Sequence, residues 1–177
     1  YTFSARAATK EYTPVLLSVD SDMVVQKDGK MSISLAVGKR EEMTRRKLIT
    51  LVRRVVSSAK AAKAKKVAIS FADFSFPHLD ITKEGLAELI AVNLEMANFE
   101  FTKYKTKPKE GWSLLTEVVV VGKADKVIEQ GFKKGKSIGE EVNATRNLAN
   151  TPGGDMTPSR LADAAREAAA GLPIDVK

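Results

Sequence analysis

Val67-Ala-Ile-Ser-Phe71, an almost unbroken apolar run, comes directly after a long amphipathic stretch at 41–64, and the pairing of the two decides the fold. In the longer stretch Leu48, Leu51, Val52, Val55, Ala59 and Ala62 recur at spacings of three and four, which predicts a helix over 41–64 with one buried stripe. Arg46, Arg53 and Lys60, seven residues apart, read as the opposite, solvated side. Glu41-Glu42 suits the positive end of such a helix, and Lys63, Lys65 and Lys66 suit its negative end. The short run at 67–71 is apolar in both phases of the pleat, as expected of a strand covered on both faces in an α/β sheet.

Working outward, Val15 to Val19 and Ile33 to Val37 read as strands, the second introduced by the turn signal Asp28-Gly29. After the 67–71 strand, Thr82 is an N-cap candidate for a helix carrying Leu86, Leu89, Ile90, Leu94 and Met96. The alternation Asn98-Phe-Glu-Phe-Thr102 then changes the period from 3.6 to 2, which predicts a strand before the lysine-rich loop 103–111. A further apolar strand is read at 114–121 and a helix at 124–149. Gly131, Gly135 and Gly139 in that helix mark either close packing on one face or a break near Gly135. Thr157-Pro158 opens a last helix that Gly171 and Pro173 close. Alternating helices and short apolar strands imply an α/β fold with a mostly parallel or mixed central sheet flanked by helices, because parallel neighbours need helical crossovers. The segment 173–177 reads as the start of a strand that stops, and Tyr1 stands where no initiator Met or leader precedes it, so both termini are expected to be cut.

The chain has 177 residues, 44% of them hydrophobic and none of them cysteine. That length allows one sizeable core, and the absence of Cys removes disulfides, thiolate catalysis and Cys-based zinc sites. No apolar run exceeds four residues, well short of the roughly 20 a membrane span needs, so a soluble cytoplasmic protein without a membrane partner is expected. The net charge of +7 is concentrated: residues 39–66 alone carry +9, against −2 for the remainder.

Little in the sequence points to chemistry. Gly131-Phe-Lys-Lys-Gly135-Lys136-Ser137 has one residue too few between its glycines for a P-loop and lies within a helical pattern. His78 is the single histidine, so no Cys-His pair or multi-His metal site can form, and it reads as solvated or capping. Glu84/Glu88 and Glu140-Glu141 read as exposed helix faces rather than a carboxylate metal site. The cationic row Arg46, Arg53 and Lys60 is the one candidate contact surface, for nucleic acid. Without interleaved aromatics it offers no stacking platform for single strands.

One segment goes further. Asn143-Ala-Thr-Arg-Asn-Leu-Ala-Asn-Thr-Pro152, followed by Met156-Thr-Pro-Ser-Arg-Leu-Ala162, resembles the junction of leucyl (cytosol) aminopeptidases, with Thr145, Arg146, Leu148, Asn150, Pro152, Thr157, Pro158, Leu161 and Ala162 in place. Asn147 stands where that family usually has Asp, and Gly153-Gly154 replaces a bulkier pair. Phe99-Glu-Phe-Thr-Lys-Tyr104-Lys105 after the helix that begins near Glu84-Gly85-Leu86 is similar to the family's helix and Tyr-Lys strand. The resemblance implies a macro-domain-like α/β domain over 1–142. It also implies that 143–177 is the end of a linker helix plus the first helix and strand of a truncated C-terminal catalytic domain.

By the same resemblance the intact parent would be a hexameric metallo-aminopeptidase that holds two divalent ions, zinc or manganese, and releases N-terminal residues from peptides. Its ligands and catalytic residues would lie beyond Lys177, so no catalytic, cofactor-binding or metal-ligating residue is assigned here and this piece is expected to be non-catalytic. Two other readings stand beside it: a stand-alone or accessory nucleic-acid-binding domain using helix 41–64, and a macro-like nucleotide-binding module. The second is disfavoured because Ala72-Asp-Phe-Ser-Phe76, after the central strand, is not a glycine-rich loop.

Overall fold

The computed structural model describes residues 1–4, 11–27, 29–123 and 125–176. Six strands, β1 (Thr2–Ser4), β2 (Thr13–Ser18), β3 (Met23–Lys27), β4 (Lys30–Ala36), β5 (Lys66–Ser70) and β6 (Glu117–Val121), form one sheet in the order β1-β6-β5-β2-β4-β3. Every neighbouring pair is parallel except β3–β4, an antiparallel edge hairpin. The mostly parallel α/β sheet expected from the sequence is therefore present. β1 and β3 add to the strands read from sequence. Asp28, Ala124 and Lys177, on which part of the turn, helix-start and chain-end readings fall, lie outside the described residues.

The four helices are α1 (Arg45–Ala61), α2 (Lys83–Asn98), α3 (Lys126–Asn150) and α4 (Pro158–Ala169). The connections β4–α1–β5 and β5–α2–β6 step in the same direction across the sheet, and right-handed crossovers then place both helices on one face. The alternating residues Val15, Ile33, Leu35, Val67, Ile69, Val118 and Val120 join the helices in a single core. On the opposite pleat of β2, Leu16 is 52% exposed.

Local chemistry sets the helix ends. α1 starts later than the apolar pattern suggests: Glu41-Glu42 belongs to a separate 3-10 turn (Arg40–Glu42), and Thr44 is the N-cap, its side chain accepting from the Lys47 N–H at 3.2 Å. Thr82 and Thr157 cap α2 and α4 as the sequence indicates.

α3 runs unbroken through Gly131, Gly135 and Gly139, which decides for close packing over a break. A Cβ on Gly131 would lie 2.5 Å from the Glu84 carbonyl oxygen, and one on Gly135 would lie 2.4 Å from that of Glu88. The missing side chains let α3 lie directly on the backbone of α2.

Two expectations need correction. Residues 99–102 form no strand; β6, which contains Val118, pairs in parallel with β1 and β5. The alternation there arises because Phe99 packs under the Arg146 guanidinium, 4.2 Å from its ring centroid, while Glu100 turns to Lys60. Likewise residues 174–176 are irregular.

Candidate functional site

The cationic row on α1 does not form a continuous free stripe. The Arg46 side chain is exposed, beside Lys47 and Arg54 in a cavity of about 380 Å³ between α1 and the end of β4. Arg53 Nε donates at 2.9 Å to Oδ1 of Asn93, a side chain buried in α2 that itself donates to the Leu89 carbonyl. Lys60 Nζ donates at 3.1 Å to both the Asn98 carbonyl and Glu100. Two of the three cations thus tie α1 to α2. The sequence signal for this was Asn93, a polar residue in the middle of an otherwise apolar helix face.

The remaining candidates have local partners. His78 Nε2 lies 2.8 Å from the Met43 carbonyl, which can only accept, so this nitrogen carries the proton and the ring braces a turn. Gly131 to Ser137 is interior to α3, preceded by the first residues of that helix and not by a strand-to-helix loop. Glu88 pairs with Lys134 at 2.9 Å and Glu140 with Lys136 at 2.7 Å. Among the described residues no group of three or more His, Cys, Asp or Glu is placed to hold a metal ion.

Two residues of the junction segment, Asn143 and Arg146, reach across to α2. Arg146 Nη1 donates to the Met96 carbonyl at 2.8 Å and to Asn143 Oδ1 at 3.1 Å, and Asn143 donates to the Glu95 carbonyl at 3.0 Å. The end of α3 therefore satisfies carbonyls that the last turn of α2 leaves open. Tyr104, in the lysine-rich loop, donates its hydroxyl to Asp155 in the turn before α4, which pushes the Tyr104 phenol above its ordinary pKa.

At the amino ends of the strands, Glu117 Oε1 accepts from Thr2 at 2.7 Å and from Tyr12 at 2.8 Å, while Oε2 lies 3.4 Å from Lys66 Nζ. The two hydroxyls, and then the ammonium, hold the Glu117 carboxyl below the usual carboxylate range. Tyr1 donates to Glu95 at 2.9 Å, and burial followed by that carboxylate drives its phenol far upward.

At the opposite, carboxyl end, β5 and β6 open into a cavity of about 770 Å³. Phe71, Ile81, Leu86 and Ile128 form apolar walls, with Lys83, Lys123 and Asp125 also lining it. Asp125 is the N-cap of α3, accepting from the Val127 N–H at 3.0 Å, and it lies 3.4 Å from Lys83. The backbone bond and then the lysine keep its carboxyl below the ordinary value. Among the described residues no helix is long and apolar enough to cross a membrane.

Residues 30–108 match the model of the cytosol aminopeptidase family, N-terminal domain. A probable cytosol aminopeptidase of Chlamydia abortus is 30% identical over 149 residues, covering 84% of this chain and 29% of that protein. One from Saccharophagus degradans is 34% identical over 122 residues, covering 67% and 24% respectively. The chain thus spans under a third of the length of these curated relatives.

Among solved structures, a tomato leucine aminopeptidase mutant superimposes with a TM-score of 0.69 at 20% identity, over 86% of this chain and 30% of that one. The bottromycin maturation enzyme BotP superimposes with a TM-score of 0.73 at 14% identity, over 92% and 38%. At those identities the structural likeness speaks for the fold, and it agrees with the sequence matches: the chain belongs to the cytosol aminopeptidase family, through that family's N-terminal domain.

Proposed function

We propose that this chain is the non-catalytic N-terminal portion of a dinuclear-metal leucyl aminopeptidase of the cytoplasm, and that its α/β domain braces a separate catalytic domain. The observation that carries the reading is the N-terminal-domain match at 30–108, together with relatives nearly three times as long. α4 supports it: none of its residues is buried, and Leu161, Leu172 and Ile174 are 52%, 54% and 60% exposed, apolar surface suited to packing against a following domain.

In the whole protein two divalent ions, zinc or manganese, would polarise the scissile carbonyl and supply a hydroxide nucleophile from ligands outside this domain. Assembly into hexamers would repeat the present domain around the outside. Within this chain, α3 does the mechanical work, joining the sheet domain to α4 while Asn143 and Arg146 lock it to the end of α2.

The test is an assay of the 177-residue chain on a chromogenic leucine amide with added Mn²⁺ or Zn²⁺. Background turnover is expected; hydrolysis well above background places the chemistry within these residues and overturns the reading. Reading the gene beyond Lys177 supplies the second check, a metal-ligand cluster being the expected finding.

A further inference from the structure

We propose that the cavity at the carboxyl ends of β5 and β6 is a binding site for a small amphipathic anion, an apolar ring or chain carrying one carboxylate or phosphate. Its volume, about 770 Å³, falls in the range of sites that enclose small molecules. The apolar walls come from three separate elements: Phe71 after β5, Ile81 and Leu86 around the start of α2, and Ile128 on α3. Side chains drawn from distant parts of the chain would ordinarily close on each other to remove apolar surface from water. Here they leave the space open. Gly122 borders that opening, and a Cβ built on it meets nothing within 4 Å.

The polar groups fix the ligand class. Lys83 and Lys123 line the cavity with one carboxylate, Asp125, which is already engaged by the Val127 N–H and by Lys83. Lys123 is exposed and has no ion pair among the described residues, so one cationic charge is left uncompensated at the rim. A single anionic head matches that excess. A dinucleotide diphosphate does not: the N-terminus of α3, where such a group would be held, is occupied by the Asp125 carboxylate. Ser70 and Ser75 add hydroxyls able to donate to the same head. The proposal stands apart from the aminopeptidase reading, since it concerns a space that domain bracing does not use.

The experiment is amide chemical-shift titration of the intact 177-residue chain with decanoate, 2-naphthoate and AMP, each to about 1 mM. The expected result is saturable shifts at Gly122, Lys123 and Ile128 with at least one probe. Carboxylates alone binding identifies an acyl or aryl acid as the class, and AMP alone identifies a mononucleotide. Two variants bear on the surface of the cavity and leave the core intact: Lys123→Glu should weaken binding about tenfold or more, and Ser75→Trp should abolish it by filling the space. No shifts with any probe, or shifts that both variants leave unchanged, overturn the proposal.

Discussion

Asn98 and Leu115 exchange two hydrogen bonds: the Asn98 Nδ2 donates to the Leu115 carbonyl at 2.7 Å, and the Leu115 N–H donates to Asn98 Oδ1 at 2.9 Å. The amide imitates a strand backbone and closes the long irregular connection between α2 and β6 at its two ends. Asn98→Asp keeps the acceptor but sets a carboxylate oxygen against the Leu115 carbonyl. It should destabilise the fold by about 1–3 kcal/mol, and Asn98→Ala by a similar amount. Urea unfolding reads this directly, and a loss below about 0.5 kcal/mol for both would show that water replaces the pair.

The α2–α3 contact makes an opposite-to-propensity prediction. Gly135→Ala gains helix propensity of about 1 kcal/mol, yet its Cβ would sit 2.4 Å from the Glu88 carbonyl oxygen and 2.8 Å from Ala91 Cβ, in rigid backbone and a short side chain. Overpacking of this kind costs about 1–3 kcal/mol, so the variant should melt lower. Gly153→Ala, where a Cβ meets nothing within 4 Å, serves as the control and should not. A Gly135→Ala protein at least as stable as the parent would mean that the helices separate freely.

How far the sequence could be read follows from these same residues. Caps at Thr82 and Thr157 were legible because a hydroxyl before an apolar periodic run has one common use. The helix spacing of the three glycines in α3 left close packing and a break near Gly135 both open and could not name α2 as the partner. Phe99-Glu100-Phe101 misleads because an alternating pattern records only which side each residue faces; here a cation over Phe99 and an ion pair at Glu100 produce it without a sheet. β1 was invisible, being three residues long and defined only by its partner β6. The cavity at the strand ends was equally hidden, since its walls are scattered from Phe71 to Ile128.

Glu117 gives the fold an acid dependence with a definite sign. Its folded pKa lies below the unfolded value because Thr2, Tyr12 and Lys66 favour the carboxylate; Glu11, the other charge at this cluster, pairs with Lys66. The group therefore contributes stability in full above the ordinary carboxylate pKa and loses it as pH falls through the depressed folded value. Urea midpoints measured between about pH 6 and pH 2 should fall less steeply in Glu117→Gln than in the parent. Identical pH profiles for the two proteins would remove Glu117 as a contributor.

The basic helix yields the prediction in which structure and sequence diverge most. If Arg46, Arg53 and Lys60 were all free to contact phosphates, replacing the three would reduce the salt slope of duplex DNA binding by about 0.9 for each contact. In the structure Arg53 and Lys60 hold Asn93, the Asn98 carbonyl and Glu100, and a phosphate would have to compete with bonds already made. Weak DNA binding that vanishes near physiological salt is therefore expected, with a slope that Arg53→Ala and Lys60→Ala leave unchanged. Those two substitutions should instead cost stability. Arg53→Ala leaves Oδ1 of the buried Asn93 unpaired, at about 1–3 kcal/mol, well beyond the few tenths usual for an exposed charge. Arg46→Ala should leave stability intact, since its exposed side chain makes no hydrogen bond or ion pair among the described residues. Fluorescence anisotropy across a salt series, run beside urea melts of the three single variants, separates the two roles. A slope that flattens for Arg53→Ala and Lys60→Ala with no loss of stability would assign the helix to nucleic acid and not to α2.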